Sequence, residues 1–413
     1  MSDLPDGWVE VNLTDVIHTA NTGLDAIKRA PIVLEDTGVK CFRIQDASQT
    51  KSYDKWGFTK VEQKNYDKFK LLEGDILIAR TGNSIGVNFL VKKDTKSVFN
   101  NGLIRLRTNN KIRYDFLYKI ISSKLFQRYI QSIAYGTSTQ PNMQINVLLS
   151  FDLRLPPLPE QKAIANILTA FDKKIALLQA QNQTLETLAQ TIFKEWFVDF
   201  NYPDATGEMV DSELGKIPQG WQVGRLGDEL EIKRGGSPRP IKDFISGSGY
   251  RWLKISDASA TKSPFIFKIK EHIKKEGLKK TTLLKVGALV LSNSATPGIP
   301  KFLELDSCIH DGWLHFPSSN IFPYQYLYLF FKNIRKSLIQ QGNGSVFKNL
   351  KTDILKNWTT VIPDKKTLKS FDQLIIPIFG KIKDNSKQLN SLTKTRNILL
   401  PKLMSGKLRL KNV

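Results

Sequence analysis

Residues 158–201 read LPEQKAIANILTAFDKKIALLQAQNQTLETLAQTIFKEWFVDFN. Two sets of mostly apolar positions each recur every seven residues within this stretch: Ile164, Phe171, Leu178, Leu185 and Ile192, and Leu168, Ile175, Asn182, Ala189 and Trp196. A heptad pattern held for about five repeats predicts a long helix with a coiled-coil seam. A single run of this kind is also typical of an ordinary core helix, so the prediction depends on finding a partner.

The same heptad pattern returns 207 residues later in the chain. It predicts a second helix over 365–405 and an antiparallel pair, in which Asn182 faces Asn385 and Trp196 meets Phe371. The second seam also places Arg396 opposite Phe171, which predicts a cation–π contact. A buried pair of asparagines commonly fixes the register of a coiled coil. We therefore interpret Asn182 and Asn385 as the residues that set the register.

The duplication extends beyond the two helices. LPDGW at 4–8 matches IPQGW at 217–221, FRIQDAS at 42–48 matches LKISDAS at 253–259, and Asn101-Gly102 matches Asp311-Gly312. A period this long indicates a repeated globular unit followed by a repeated helix. Each unit is predicted to be mixed α/β, with strands at 9–13, 39–44, 74–80, 103–107, 147–155 and 357–362 and helices at 114–133 and 324–341.

Composition favours a basic protein with an acidic partner. The net charge is +22, divided as +6 in residues 1–156, −4 in 157–212, +11 in 213–362 and +9 in 363–413. Positive charge on both globular units favours nucleic acid, although a basic protein without such a partner is the simpler alternative. No signal peptide or membrane-spanning run is predicted, and Cys41 and Cys308 are interpreted as reduced thiols, so we expect a cytoplasmic protein.

Signatures of catalysis are missing from the sequence. There is no phosphate-binding loop of the GxxxxGK[ST] type and no Asn/Asp-Pro-Pro-Tyr/Phe motif. Cys308, His310 and His315 lack a fourth ligand with zinc-site spacing, so we predict no metal site there. A basic, duplicated chain of this kind is typical of a recognition protein rather than an enzyme.

Several motifs, taken in order, resemble the specificity subunits of type I restriction–modification systems. They are Pro-x-Gly-Trp at 5–8 and 218–221, LPPLPEQKAIANIL at 155–168, WFVDF at 196–200 and LMSGKLR at 403–409. The resemblance covers essentially the whole chain. It implies an α+β fold of two pseudo-symmetric mixed α/β target recognition domains, separated by two long antiparallel coiled-coil helices.

The resemblance also implies a domain plan and a function. The plan has recognition domain 1 at 1–156, a first coiled-coil helix at 157–200, a linker at 201–216, recognition domain 2 at 217–362, a second coiled-coil helix at 363–406 and a tail at 407–413. Each domain would read one half of a bipartite double-stranded DNA target, and the helices would set the spacer. Two methyltransferase subunits and two motor-nuclease restriction subunits would bind the chain. No cofactor is expected in the chain itself, since S-adenosylmethionine, ATP and Mg would belong to those partners.

Candidate DNA-binding residues lie in the loops that follow strands, where Arg, Lys, Asn and Gln can reach base edges or phosphates. They are Lys28, Arg43, Gln45, Arg80, Asn83, Ser84, Gln140 and Asn142 in the first domain, and Lys233, Arg234, Arg239, Arg251, Lys254, Asn293, Asn343 and Lys348 in the second. Two other functions stay open at this point: a nuclease or methyltransferase in its own right, and a coiled-coil scaffold with protein-binding heads.

Overall fold

Two helices of 40 residues each, Leu158–Phe197 and Lys365–Met404, are the longest elements of the α+β fold. The second begins where the Asp364 side chain accepts the Thr367 N–H at 2.9 Å, as an N-cap residue does. It ends just before Gly406, whose φ of +73° suits the residue after a helix C-terminus. The heptad prediction of both helices is confirmed.

The computed structural model describes residues 4–134, 142–342 and 350–410. The chain divides into two units: Met1–Lys174 with Leu392–Val413, and Ile175–Ser391. Each long helix therefore contributes to both units. Within the described residues, no helix is long and apolar enough to cross a membrane.

The first unit contains two four-stranded sheets, in the orders β2-β9-β6-β7 and β3-β5-β4-β8, and the antiparallel pair β1-β10. Its strands are Val9–Asn12 (β1), Ile17–Thr22 (β2), Ile32–Val33 (β3), Lys40–Phe42 (β4), Gly57–Thr59 (β5), Ile76–Ala79 (β6), Asn88–Leu90 (β7), Ser97–Phe99 (β8), Leu103–Thr108 (β9) and Asp152–Leu155 (β10). Its helices are Ile44–Ser48 (α1), Gln63–Phe69 (α2), Tyr114–Ile121 (α3), Lys124–Ala134 (α4), Ile145–Leu149 (α5) and the start of Leu158–Phe197 (α6).

The second unit contains two five-stranded sheets, β14-β23-β20-β21-β17 and β15-β18-β16-β22-β19, with the pairs β11-β12 and β13-β24. Its strands are Met209–Ser212 (β11), Gly215–Pro218 (β12), Gln222–Arg225 (β13), Lys233–Arg234 (β14), Ile245–Ser246 (β15), Tyr250–Leu253 (β16), Phe265–Ile266 (β17), Glu271–Ile273 (β18), Thr282–Leu284 (β19), Leu289–Ser292 (β20), Pro300–Leu303 (β21), Ser307–Ile309 (β22), Trp313–His315 (β23) and Thr359–Ile362 (β24). Its helices are Leu226–Glu229 (α7), Ile255–Ser259 (α8), Tyr324–Gly342 (α9), Thr352–Lys356 (α10) and most of Lys365–Met404 (α11).

Four predicted segments differ from the structure. The single helix at 114–133 is two helices, because the Ser123 hydroxyl accepts the Phe126 N–H at 3.2 Å and starts a new one. The strand predicted from Val147 begins only at Asp152, because Ile145–Leu149 is helical. The strand at 39–44 ends at Phe42, where the Asp46 carboxylate accepts the Arg43 N–H at 3.0 Å and caps α1. The predicted linker at 201–216 contains β11 and the start of the hairpin strand β12.

The long helices pack antiparallel within the second unit. The rings of Trp196 and Phe371 lie 5.6 Å apart, as predicted for the seam. Farther along, the Asn182 amide donates to the Ser386 hydroxyl at 3.1 Å. Asn385 is buried beside that contact, and neither its Nδ2 nor the Asn182 Oδ1 finds a hydrogen-bond partner.

In the first unit, one predicted seam contact is wrong. The Arg396 guanidinium donates to the Asp172 carboxylate at 2.8 Å instead of lying over the Phe171 ring. Asp172 also accepts from Lys119 at 2.6 Å, so it lies between two cations. Burial alone would raise the pKa of Asp172, but bonds from Lys119 and Arg396 hold it below its usual value. A carboxylate competes better than an aromatic face for a guanidinium that is close to water.

Replacing Asn182 and Asn385 together by leucine is expected to raise the free energy of unfolding by about 1–3 kcal/mol. Each asparagine buries a polar atom without a partner, and removing such an atom recovers its desolvation cost. Urea unfolding of the full chain measures the change, with Asn182→Ala alone as the comparison. A double variant less stable than the wild type would show that the layer contributes net stability.

Candidate nucleic-acid interface

The candidate residues of the first unit gather at the edge where β6 ends. The Arg80 guanidinium donates to Asn142 Oδ1 at 2.8 Å, and Asn142 also pairs with Thr81 in an isolated β-bridge. The Arg80 backbone N–H donates to the Gly102 carbonyl at 2.9 Å. These contacts join three loops that are far apart in sequence.

A further candidate, Ser84, joins this edge through a pair of hydroxyl groups. Ser84 and Ser48 lie 3.1 Å apart between their Oγ atoms, which connects the turn after β6 to α1. Asn83, beside Ser84, is exposed. The predicted residues Arg80, Asn83, Ser84 and Asn142 thus form one cluster, which we call the first edge.

The remaining candidates of the first unit lie around the start of α1 and on a separate turn. Arg43 precedes α1 and pairs with Asp46 at 3.3 Å, while Gln45 is exposed in the first turn of the helix. Lys28 is exposed on the turn that follows β2. Gln140 lies outside the described residues.

A buried ion pair supports the sheet beneath this edge. The Asp75 carboxylate, with no exposed side-chain surface, accepts from Arg107 Nε at 2.7 Å and from Arg107 Nη2 at 2.9 Å. It also accepts the Leu72 N–H at 2.9 Å and lies 3.9 Å from Arg105. Because Asp75 immediately precedes β6, this network fixes the start of the strand that Arg80 follows.

In the second unit, four polar side chains converge on Asp311. Its carboxylate accepts from Ser237 at 2.7 Å and from Arg239 at 3.0 Å. Its backbone carbonyl accepts from Arg234 and, at 3.1 Å, from the Asn293 amide. Three loops therefore meet at one residue, and we call this cluster the second edge.

The charge state of Asp311 follows from these contacts. Burial alone would raise the pKa of the Asp311 carboxyl, but the bond from Ser237 and the positive charge of Arg239 hold it below its usual value. Asp311 is therefore ionised at neutral pH and orients the Arg239 guanidinium.

A cleft of about 410 Å³ adjoins the second edge and is lined by Ser237, Arg239, Ile241, Trp252, Lys254, Ile255, Ser256, His310 and Asp311. His310 Nδ1 accepts the Gly312 N–H at 2.8 Å, which places the proton of the neutral ring on Nε2. Burial lowers the pKa of His310, so the ring is neutral at pH 7. The cleft thus combines apolar walls with donors of fixed position.

The other candidates of the second unit are more scattered. Lys233 pairs with Glu231 at 2.6 Å, and Lys254 pairs with Glu271 at the start of α8. Arg251 lies in β16 opposite His272 of β18. Asn293 is only 2% exposed, so it can act on a ligand only through the loop that it holds. Asn343 and Lys348 lie outside the described residues.

Sequence reasoning missed Asp311, Ser237 and His310 as parts of this site. A signal was present, since Asp311-Gly312 repeats Asn101-Gly102, and both pairs lie at the loop between equivalent strands. An acidic residue is not expected in a DNA-binding loop until its cationic partners are placed beside it.

Metal chemistry finds no support among the described residues, which contain no group of three potential ligands placed to hold an ion. Cys41 and Cys308 are buried free thiols, and burial raises their pKa to about 12 and about 11. His315 is buried in β23. These groups are parts of the core.

Comparison with known proteins agrees with this arrangement. The family described as type I restriction modification DNA specificity domain matches the chain twice, over residues 5–187 and 218–398. The type I restriction enzyme MjaIX specificity subunit of Methanocaldococcus jannaschii is 28% identical over 323 residues, covering 76% of this chain and 73% of that protein. The putative MjaX specificity subunit of the same organism is 24% identical over 429 residues, covering 100% and 96%.

A bacterial relative and a solved structure extend the comparison. The type I restriction enzyme HindI specificity subunit of Haemophilus influenzae is 23% identical over 407 residues, covering 83% of this chain and 88% of that protein. The crystal structure of the S subunit of a type I restriction–modification system from M. genitalium has a TM-score of 0.66 at 16% identity, covering 98% and 97% of the two chains, and so shares the fold. With two matches that together span most of its length, the chain belongs to the type I restriction–modification DNA specificity family and is a DNA-sequence-recognition subunit with two repeated recognition domains.

Proposed function

We propose that each unit reads one half of a bipartite DNA target and that the two long helices set the spacer between the halves. The observation that carries this proposal is that, in both units, loops with basic side chains lie at the same end of the corresponding sheet. Arg80 follows β6 and its N–H donates to the Gly102 carbonyl before β9, and Asn293 follows β20 and its N–H donates to the Gly312 carbonyl before β23, both at 2.9 Å. Arg234 and Arg239 supply the basic side chains of the second edge. Two similar but chemically different edges suit two different half-sites.

The edges supply the chemistry that DNA reading needs. Arg, Asn and Gln side chains form paired hydrogen bonds to guanine or adenine in the major groove, while Lys and exposed Arg hold phosphates. We propose base contacts for the exposed arginine, asparagine and serine side chains at the two edges and phosphate contacts for the more scattered lysines. The proposed DNA-binding set remains the one predicted from the sequence: Lys28, Arg43, Gln45, Arg80, Asn83, Ser84, Gln140, Asn142, Lys233, Arg234, Arg239, Arg251, Lys254, Asn293, Asn343 and Lys348. Within it, the buried Asn293 holds its loop in place rather than touching DNA.

The helices offer a surface for protein partners. Apolar side chains remain exposed along α6 and α11, and residues 157–212 carry a net charge of −4. Those on α6 are Ile167, Leu177 and Leu188, and those on α11 are Leu374, Ile376 and Ile398. Exposed apolar residues suit protein docking, and the net negative charge of 157–212 makes α6 a surface that does not attract DNA. We propose that two methyltransferase subunits bind here and that two restriction subunits join the complex.

Catalysis is proposed to lie outside this chain. The methyltransferase subunits would bind S-adenosylmethionine and methylate adenine, and the restriction subunits would use ATP and Mg. The missing catalytic motifs support a non-catalytic role.

Duplex DNA binding that weakens steeply with added salt would support DNA as the partner, whereas salt-independent binding would favour protein-binding heads.

Single arginine variants test whether each unit reads its own half-site. Arg80→Ala is expected to reduce discrimination at one base pair of the first unit's half-site by about 5- to 150-fold, and Arg239→Ala to do the same in the other half-site. Methylation of a library of half-site variants by the assembled complex measures both effects. Lys216→Ala, an exposed residue of the β11-β12 hairpin, serves as the control. Equal weakening of both half-sites by either arginine variant would contradict the proposal.

A further inference from the structure

The strand registers align the starts of two loops, one in each unit. In the first unit Thr22 of β2 pairs with Ile104 of β9. In the second unit Arg234 of β14 pairs with Leu314 of β23. Both pairings are antiparallel and lie at the end of the strand that leads into the loop. Thr22 and Arg234 are therefore structurally equivalent.

A glycine follows each of these residues and meets the same neighbour. A Cβ added to Gly23 would lie 2.5 Å from the Asn100 carbonyl oxygen, and one added to Gly235 would lie 2.4 Å from the His310 carbonyl oxygen. Neither site has room for a side chain. The chain thus turns against equivalent carbonyls in both units, four residues before Ile27 in one and Arg239 in the other.

The turn that carries Ile27 is firmly built. Asp25 Oδ1 accepts the backbone N–H groups of Ile27 at 3.0 Å and Lys28 at 2.8 Å. The Asp25 carbonyl accepts the N–H groups of Arg29 and Ala30. At the tip of this turn Ile27 is 81% exposed, and it is followed directly by two cationic residues.

Backbone contacts tie this turn to the first edge. The Asn101 N–H donates to the Leu24 carbonyl at 2.8 Å, and Gly102 in turn accepts the Arg80 N–H at 2.9 Å. The loop 100–102 therefore contacts both the start of the turn that carries Ile27 and the backbone of Arg80. An apolar side chain at the tip of a basic loop, beside a cluster of polar base-reading groups, is placed to meet an apolar feature of DNA.

We propose that Ile27 is a base-reading residue that packs against the C5 methyl group of a thymine in the first half-site. Arg239, on the loop that follows Gly235, takes the O6 and N7 acceptors of a guanine in the second. The thymine methyl is the apolar group of the major groove, and guanine presents two acceptors that match a guanidinium. The inference rests on the proposed function and deepens it, because it assigns the chemical group that one loop residue reads in each unit.

The orientation of Arg239 agrees with this role. Its guanidinium is bound on one side by the Asp311 carboxylate at 3.0 Å, yet its side chain is 75% exposed. A guanidinium held by one carboxylate keeps donors free for a second ligand. In the first unit, the residue that matches Asp311 is Asn101. Because Asn101 carries no charge, the side chain at the tip of the turn does not need a positive charge to pair with it.

Side-chain exchange at this position tests the inference. Ile27→Ala, Ile27→Arg and Arg239→Ile are made in the full chain and assembled with the methyltransferase partner. Methylation of a randomised target library is then sequenced. We expect Ile27→Ala to reduce the preference for one T·A pair in the first half-site about 5- to 150-fold. Ile27→Arg should shift that position toward G·C, and Arg239→Ile should relax a G·C pair in the second half-site only.

Two outcomes would overturn the inference. One is an Ile27→Ala variant that keeps the wild-type preference at every base pair. The other is an Ile27→Ala variant that weakens all sequences equally, as loss of a phosphate contact does. Lys28→Ala is the matched control on the same turn, expected to weaken binding uniformly. If the wild-type complex yields no bipartite motif, the proposed function itself fails, which is distinguishable from a wild-type motif that Ile27 does not affect.

Discussion

Replacing Asp75 by alanine is expected to lower the free energy of unfolding by about 3–5 kcal/mol, because removing one partner leaves a buried charge without compensation. Arg105 is only 2% exposed, and Arg107 donates two hydrogen bonds to the lost carboxylate. The Leu72 N–H would also lose its acceptor. This loss is a large part of the stability of a typical domain.

Urea unfolding of the full chain, combined with hydrogen exchange of β6 and β9, measures the Asp75 effect and locates it in the first unit. Glu10→Ala is the control, since Glu10 pairs with Arg154 at 3.3 Å on the surface with a 56% exposed side chain. An exposed pair of this kind contributes about 0–1 kcal/mol. If Asp75→Ala costs no more than Glu10→Ala, the ion pair does not support the edge.

Inserting one heptad into each long helix is expected to change which DNA spacer the complex accepts. The insertion points are those where each helix passes between units, after Lys174 and after Ser391. Seven helical residues add about 10.5 Å, and duplex DNA advances about 3.4 Å per base pair. We expect the accepted spacer to lengthen by about three base pairs, with both half-sites unchanged.

At the original spacer, methylation by this double-insertion complex is expected to fall roughly 100-fold or more, because the half-sites can no longer be contacted together. Targets with spacers from three base pairs shorter to six longer provide the measurement. A heptad inserted into α6 alone is the control, and it should lower stability by mispairing the seam. Retention of the original spacer by the double insertion would contradict the role of the helices in spacing.

The long helices could be predicted from sequence because their signal is repeated many times. Both were placed to within a few residues of Leu158–Phe197 and Lys365–Met404. Short elements gave weaker signals. The apolar run at 145–149 fits a strand or a helix by composition alone, and only its packing decides in favour of the helix. The break at Ser123 depends on one side-chain hydrogen bond.

The candidate site was partly predictable for a similar reason. Arg80 was recognisable as a basic residue at the end of a predicted strand. Arg234 was predicted to lie in a basic loop, whereas it ends strand β14. Asn142 was also predicted as a candidate, although not as the partner of Arg80, because long-range contacts bring the two together. Asp311 was not predicted, because its place beside Arg234 also depends on long-range contacts. Ile27 gave no signal of its own, and the match between its loop and the loop that carries Arg239 emerges only from the strand register and the two glycines.

Methylome sequencing of a host that expresses this chain with its methyltransferase partner tests most directly whether two units read two half-sites. We predict one bipartite motif, with two specified half-sites, a fixed number of unspecified base pairs between them and methylated adenine in each half. A contiguous motif would contradict the two-unit reading. So would the absence of any motif when the same methyltransferase is active with a different specificity chain.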